Sequence, residues 1–163
     1  MSASESATQA APSFRPTLIA LVVAVAFFME NLDGTVIATA LPQMGESLGA
    51  GTIQMSIGIT AYILTLAIFI PASGWMADRF GTRNVFGGAI ALFTLSSIAC
   101  GISQDFYTFV VSRIVQGMAA ALMSPVGRLV VLRSTEKKDL LRAAAITVWP
   151  GLVAPVVGPP LGG

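Results

Sequence analysis

The stretch GWMADRFGTR, residues 74–83, is a short charged segment between two long apolar runs of the sequence. Charged residues make up only 10% of the chain, whereas an ordinary soluble domain carries about a quarter. A cluster of one anion and two cations is therefore unusual here, and it predicts a short loop at one face of a membrane. The residues that define this loop are Gly74, Asp78, Arg79, Gly81 and Arg83.

The composition around this loop predicts an all-α membrane protein that crosses the bilayer several times. The chain has 163 residues, of which 55% are hydrophobic, and its mean hydropathy is +0.80. Apolar runs of roughly 20 residues, enough to cross a bilayer, recur about five times. They predict a disordered cytoplasmic tail at 1–16 and then a bundle over 17–163, with helices at about 17–40, 52–75, 84–102, 106–132 and 141–163.

Prolines determine where the predicted helices end or bend. Helix one is expected to stop at Pro42, because proline lacks the backbone N–H that a helix interior needs. By the same reasoning Pro71 is expected to kink helix two, and Pro125 to interrupt helix four. Pro159 and Pro160 are expected to prevent regular helix near the end of helix five.

Several functional classes are not expected from this composition. A net charge of +1 provides no basic surface for nucleic acid. The sequence has no histidine, which removes the commonest metal ligand and the usual general base, and no serine-centred nucleophile motif is present. Cys100, the single cysteine, has no partner within the chain for a disulfide. We therefore expect neither an enzyme nor a metal site, and no cofactor.

The positive charges lie on one side of the predicted bundle. The first and third loops contain no lysine or arginine. Because cytoplasmic loops of membrane proteins carry an excess of these residues, the N-terminus and the loop at 74–83 are expected to be cytoplasmic, in the cell (inner) membrane. The cations assigned to the tail, the second loop and the fourth loop are Arg15, Arg79, Arg83, Arg133, Lys137, Lys138 and Arg142.

Four polar side chains inside the predicted spans form a candidate site. Asp33 lies about 13 Å below the predicted outer end of helix one, and Arg113 lies about 12 Å below the outer end of helix four, from the helix rise per residue. Glu30 is one turn from Asp33 on the same face, and Gln116 follows Arg113 at the same spacing. Because buried charges are costly in a membrane, we expect these residues to cluster at a central cavity.

Two other interpretations of these charges remain open. The acid and the arginine could form only a structural clamp between helices one and four. Arg128 lies about one turn from the cytoplasmic end of helix four, and its charged group could reach the interface while its stem stays in the apolar layer.

Four motifs in order resemble the major facilitator superfamily of secondary transporters. Residues 74–83 are similar to its cytoplasmic loop motif G-x-L-a-D-r-x-G-r-k, with methionine for leucine at 76 and threonine for a basic residue at 82. Residues 113–117, RIVQG, match the helix-four motif R-x-x-Q-G. Residues 158–163, GPPLGG, match the helix-five antiporter motif G-P-x-x-G-G. Residues 32–42, LDGTVIATALP, resemble the helix-one motif of drug:proton antiporters, especially the fourteen-span subfamily.

The resemblance implies a proton-driven transporter that exports small amphipathic compounds across the lipid bilayer. It implies that Asp78 and the arginines of its loop act as a conformational latch, and that Arg113 is linked to proton coupling. It implies that the helix-five motif shapes an interface that opens and closes. The helix-five residues that carry this role are Gly158, Pro159, Gly162 and Gly163.

The physical chemistry of the latch predicts partners for Asp78. The helix dipole disfavours an anion at the end of helix two, so Asp78 is expected to pair with Arg79, with Arg83, or with the N-terminus of another helix. We expect the other half of the latch to lie in helices that this chain does not contain. A secondary transporter has two repeated halves, and this chain ends inside an apolar segment, so a missing C-terminal half is expected.

Alternatives to drug export also remain open. The chain could belong to a transporter of a metabolite or sugar, against which the motifs of helices one and five argue. It could also be a truncated membrane protein or an assembly partner that transports nothing.

Overall fold

The computed structural model describes residues 14–135 and 140–162, and these residues form five helices. Each helix is long and apolar enough to cross a membrane, so the predicted all-α membrane bundle is confirmed. Of the tail predicted at 1–16, residues 1–13 lie outside the described residues, whereas 14–16 form the first turn of helix one. The helices are α1 (Phe14–Ser47), α2 (Thr52–Phe80), α3 (Thr82–Gly101), α4 (Phe106–Ser134) and α5 (Leu140–Gly162).

The helices continue through prolines at which the sequence predicted an end or an interruption. α1 passes Pro42 and ends at Ser47, and α4 passes Pro125 without a break. α5 includes both Pro159 and Pro160 and remains helical to its last described residue. These three predictions were wrong because membrane helices tolerate the loss of a backbone donor, which neighbouring groups and small local adjustments compensate.

The connection between α2 and α3 is a single residue, Gly81, which has φ +85. The predicted loop at 74–83 is therefore mostly helix, because residues 74–80 form the last two turns of α2. Only glycine adopts this positive φ without strain, so Gly81 is the point at which the chain reverses direction. Asp78 and Arg79 thus project from the end of a helix.

Packing centres on α4, the most buried helix of the bundle. It contacts α2 and α3 extensively, while α5 packs mainly against α1. Helices approach closely where their facing residues are small, because there is no hydrophobic driving force between helices in lipid. The small residues of α4 in these contacts are buried, and they are Gly117, Ala119, Ala120, Ala121 and Gly127.

The outward faces of the helices are apolar and exposed, as a lipid-facing surface requires. Large hydrophobic side chains are solvent-accessible on all five helices, including Leu21 on α1, Ile68 on α2, Leu95 on α3, Val111 on α4 and Val156 on α5. Such a surface would be a severe aggregation liability in water. The distribution therefore agrees with a bundle that is immersed in a bilayer.

Asp105 caps the N-terminus of α4, as its position in the third loop suggests. Its carboxylate accepts hydrogen bonds from the backbone N–H of Thr108 (2.8 Å) and from the hydroxyl of the same residue (2.6 Å). The bond from the hydroxyl, which has the largest effect, and the bond from the backbone both lower the pKa of Asp105 below its ordinary value. A cap of this kind satisfies a backbone donor that has no partner inside the helix.

Candidate functional site

Three of the four predicted polar residues meet in a closed hydrogen-bonded network between α1 and α4. One nitrogen of the Arg113 guanidinium, Nη1, lies 2.6 Å from Oδ2 of Asp33. The same nitrogen donates to Oε1 of Gln116 at 2.5 Å, and Nε2 of Gln116 donates to Oδ1 of Asp33 at 2.8 Å. Each member of this network therefore contacts both of the others.

The network lies inside the helix packing. Arg113 and Gln116 are 1% and 0% exposed, and the side chain of Asp33 is 11% exposed. That these side chains face a central cavity stays a prediction. A buried ion pair is stable only when the remaining polar atoms find partners, because both charges lose their hydration. Gln116 supplies two of those partners.

The local sequence of α4 explains how these groups come together. Arg113 and Gln116 are three residues apart and therefore share one face of the helix. The next residue, Gly117, faces α2, where an added Cβ would lie 2.6 Å from the backbone oxygen of Tyr62. Glycine at this position allows α2 and α4 to approach more closely than any side chain would permit.

Glu30, the fourth predicted residue, makes a separate contact. Its Oε2 accepts a hydrogen bond from the hydroxyl of Ser124 on α4 at 2.7 Å. It thus joins the same two helices as the network but at a level nearer the C-terminal end of α4. The predicted cluster of four is in this structure a network of three with a neighbouring acid.

Sequence reasoning missed three side chains that contact these acids or Arg113. The hydroxyl of Ser97 on α3 lies 3.5 Å from Oδ1 of Asp33, and Ser124 binds Glu30. The ring of Tyr62 on α2 lies over the Arg113 guanidinium, 4.8 Å from its centroid. Small hydroxyls are common in apolar helices, so Ser97 and Ser124 carried no signal. Tyr62 was the more visible candidate, as an aromatic residue with a polar end in an apolar helix.

Asp78 has a partner within this chain that was not among those predicted. Nη2 of Arg133, in the last turn of α4, lies 3.4 Å from Oδ1 of Asp78. The side chain of Arg133 is 55% exposed and that of Asp78 is 72% exposed. The pair therefore contributes at most about 1 kcal/mol to stability. Arg79 and Arg83 are exposed, and neither pairs with Asp78 in the part of the chain that the structure describes. The sequence did not indicate Arg133 as the partner of Asp78, because these two residues are far apart along the chain and come together only when α2 packs against α4.

The helix-five motif packs against the helix-one motif. Gly158 is buried, and a Cβ added there would collide with the hydroxyl and Cβ of Thr35 on α1. Pro159 is exposed on the opposite side of the contact. Gly162 is the last residue of α5, and Gly163 lies outside the described residues. The two motifs therefore form one interface, at which glycine gives Thr35 its space.

Five apolar helices with a buried carboxylate, guanidinium and amide between them define a polytopic membrane protein with an ionisable site inside its bundle. The sequence model of the Major Facilitator Superfamily matches residues 23–163. The chain belongs to this superfamily of membrane transporters.

Curated relatives extend the comparison. The chain is 46% identical over 142 residues to "Putative multidrug resistance protein MdtD" of Enterobacter sp. (strain 638). It is 44% identical over the same length to proteins of that name from Salmonella paratyphi B and Salmonella newport. In each case the match covers 87% of this chain and 30% of the relative. The chain therefore spans about a third of the length of these relatives.

Proposed function

We propose that this chain forms helices one to five of a proton-coupled transporter that exports small amphipathic compounds by alternating access. The observation that carries the proposal is the buried network of Asp33, Arg113 and Gln116. The name of the relatives, which refers to multidrug resistance, supports small amphipathic compounds as the substrate class. The helix-one and helix-five motifs support the antiporter type.

The network has the chemistry that proton coupling needs. A deprotonated Asp33 is held by the cation of Arg113 and by the amide of Gln116. When a proton binds the carboxylate, the attraction to Arg113 is lost, while the guanidinium stays charged because arginine is not deprotonated in proteins. Proton binding thus weakens a contact between α1 and α4, and a change in that contact can be coupled to a change in access.

A cavity among three of the helices offers a place for an amphipathic molecule. It has a volume of about 490 Å³ and lies between α1, α4 and α5. Its walls are mainly apolar, with one cation and two uncharged polar side chains, a composition that suits a ligand with an apolar body. The lining includes Phe27, Asn31, Arg128, Thr147, Val148 and Leu152.

We further propose that the N-terminus is cytoplasmic and that the protein resides in the cell (inner) membrane. The cations near the α2–α3 and α4–α5 connections support this orientation, because lysine and arginine favour the cytoplasmic side. The transporter would use the proton gradient as its energy source, with no cofactor. Its partners would be protons, the substrate, the bilayer and the C-terminal half of the protein.

The test is transport by the complete transporter in sealed vesicles. We expect it to move ethidium, an amphipathic dye, against its gradient when a proton gradient is imposed, and to stop when the gradient is collapsed by an ionophore. Glucose serves as the contrast for the metabolite or sugar alternative. Proton-driven movement of glucose without movement of dye would favour that alternative, and movement of neither solute would favour a protein that does not transport.

Replacing Asp78 with asparagine is expected to reduce the transport rate while changing the free energy of unfolding by less than about 1 kcal/mol, because the pair with Arg133 is exposed. The expected cause is that a latch between the ends of α2 and α4 is made in one state and broken in the other. Initial rates of dye transport and denaturant unfolding in micelles measure the two effects. Glu46→Gln is the matched control, since Glu46 is an exposed acid of α1 that lies outside the latch residues. Wild-type rates for the Asp78 variant would refute the latch.

A further inference from the structure

The ring of Tyr62 is the one aromatic side chain that the structure places over the guanidinium of Arg113, at 4.8 Å from the ring centroid. The other contacts of this guanidinium are made through Nη1, which donates to both Asp33 and Gln116. Its Nε is buried and has no hydrogen-bond partner among the described residues. The face of the guanidinium that is turned to α2 therefore depends on the ring of Tyr62 for stabilisation.

An aromatic face is a suitable partner for a desolvated arginine. The ring quadrupole attracts the cation, and the planar guanidinium stacks on it without needing an oriented hydrogen bond. Such an attraction is stronger in a dry site than at an exposed one. Arg113 is 1% exposed, so the full benefit of the ring applies here.

The backbone around Tyr62 fixes the ring at this distance. Gly117 on α4 lies against the carbonyl oxygen of Tyr62, and an added Cβ would come within 2.6 Å of that oxygen. The same Cβ would lie 3.1 Å from the Cβ of Thr65, one turn further along α2. The position of Tyr62 relative to Arg113 is therefore set by a close contact between the two helices, and not only by the rotamer of the ring.

We propose that Tyr62 is a positioning residue for Arg113. Its ring holds the guanidinium against Asp33 while the carboxylate is ionised, and this placement favours the ionised form of Asp33. This inference rests on the proposed proton-coupled transport. It adds a residue on α2 to a site that the sequence motifs place on α1 and α4.

The other charged and titratable groups near this site make contacts that do not involve Tyr62. Glu30 on α1 binds Ser124, and Arg128 on α4 lies near the ring of Phe27, 6.0 Å from its centroid. Cys100 on α3 is a free, buried thiol. No charged side chain of α5 faces the network in the part of that helix whose side chains are described. These groups remain in place in the variants below.

The experiment compares Tyr62→Phe with Tyr62→Leu in the complete transporter. The phenylalanine variant keeps the ring face and is expected to transport dye with the wild-type pH profile. The leucine variant loses the ring, so Arg113 is held less firmly, and proton uptake at the site is expected to become easier. Its transport profile should move to higher pH by about half to one unit, from the size of cation–π interactions.

Tyr107→Leu is the matched control, because Tyr107 is 80% exposed at the start of α4 and should give the wild-type profile. Tyr62→Met, whose flexible side chain fills irregular space, replaces the leucine variant if that protein does not fold. A wild-type profile for Tyr62→Leu or Tyr62→Met would overturn the role of Tyr62, as would equal shifts in the leucine and phenylalanine variants. Absence of proton-dependent transport in the wild type would instead overturn the proposed function.

Discussion

Asp33→Asn is expected to abolish proton-driven dye transport and to lower the free energy of unfolding by about 3–5 kcal/mol. The loss of stability follows because the substitution leaves the buried guanidinium of Arg113 without its anion. The loss of transport follows because asparagine cannot take up and release a proton. Dye transport in vesicles and denaturant unfolding in micelles measure the two effects separately.

The double variant Asp33→Asn/Arg113→Gln separates proton coupling from a structural clamp. It removes both charges and keeps hydrogen-bonding groups in the space between α1 and α4, so much of the lost stability should return. Transport that depends on the proton gradient should not return. If the pair is only a clamp between helices, the double variant would transport dye with wild-type proton dependence, and the coupling role of Asp33 would be rejected.

Gly158→Ala is expected to lower the free energy of unfolding by about 1–3 kcal/mol, the typical cost of forcing extra volume into packed helices. The new methyl group would collide with Thr35, so α5 must move away from α1. Because this contact joins the motifs of helices one and five, the transport rate should fall together with stability. Denaturant unfolding in micelles gives the first quantity, and initial rates of dye transport give the second.

Two comparisons check this explanation of Gly158. Gly88→Ala on α3 adds the same methyl group where no atom lies within 4 Å, so stability should be unchanged or should rise by up to about 1 kcal/mol. Thr35→Ala in the Gly158→Ala background removes the hydroxyl that would collide but keeps the Cβ, and it should restore part of the lost stability. An equal loss in the Gly88 variant, or no rescue by Thr35→Ala, would refute the steric explanation.

The residues of the buried network could be predicted from one spacing along a helix and from one argument about depth in the membrane. Arg113 and Gln116 share a face of α4, and an acid in an apolar segment needs a cation at similar depth. The depth argument used Pro42 as the end of α1, which was wrong. The two depths nevertheless match, because Leu41, one residue before that proline, packs in the same cluster as Phe109 near the start of α4. Asp33 and Arg113 therefore lie at the same level of the bundle.

The contacts that sequence reasoning missed all depend on how different helices are rotated and placed against one another. Tyr62 and Arg133 meet their partners across helix interfaces, and no spacing along the chain encodes those meetings. The helix ends were misjudged for a different reason. In water, proline ends a helix because it removes a hydrogen bond and because non-helical backbone can bond to water instead. Inside the bilayer that water is absent, so a helix that lacks one hydrogen bond is still favoured over non-helical backbone.

The single-residue connection at Gly81 restricts how the bundle can rearrange. One residue joins the end of α2 to the start of α3, and consecutive Cα atoms are about 3.8 Å apart. The link is too short to let one helix slide past the other by a full turn of about 5.4 Å. The ends of α2 and α3 must therefore stay together in any rearrangement, and Asp78 and Arg83 must stay on neighbouring turns at this end of the bundle.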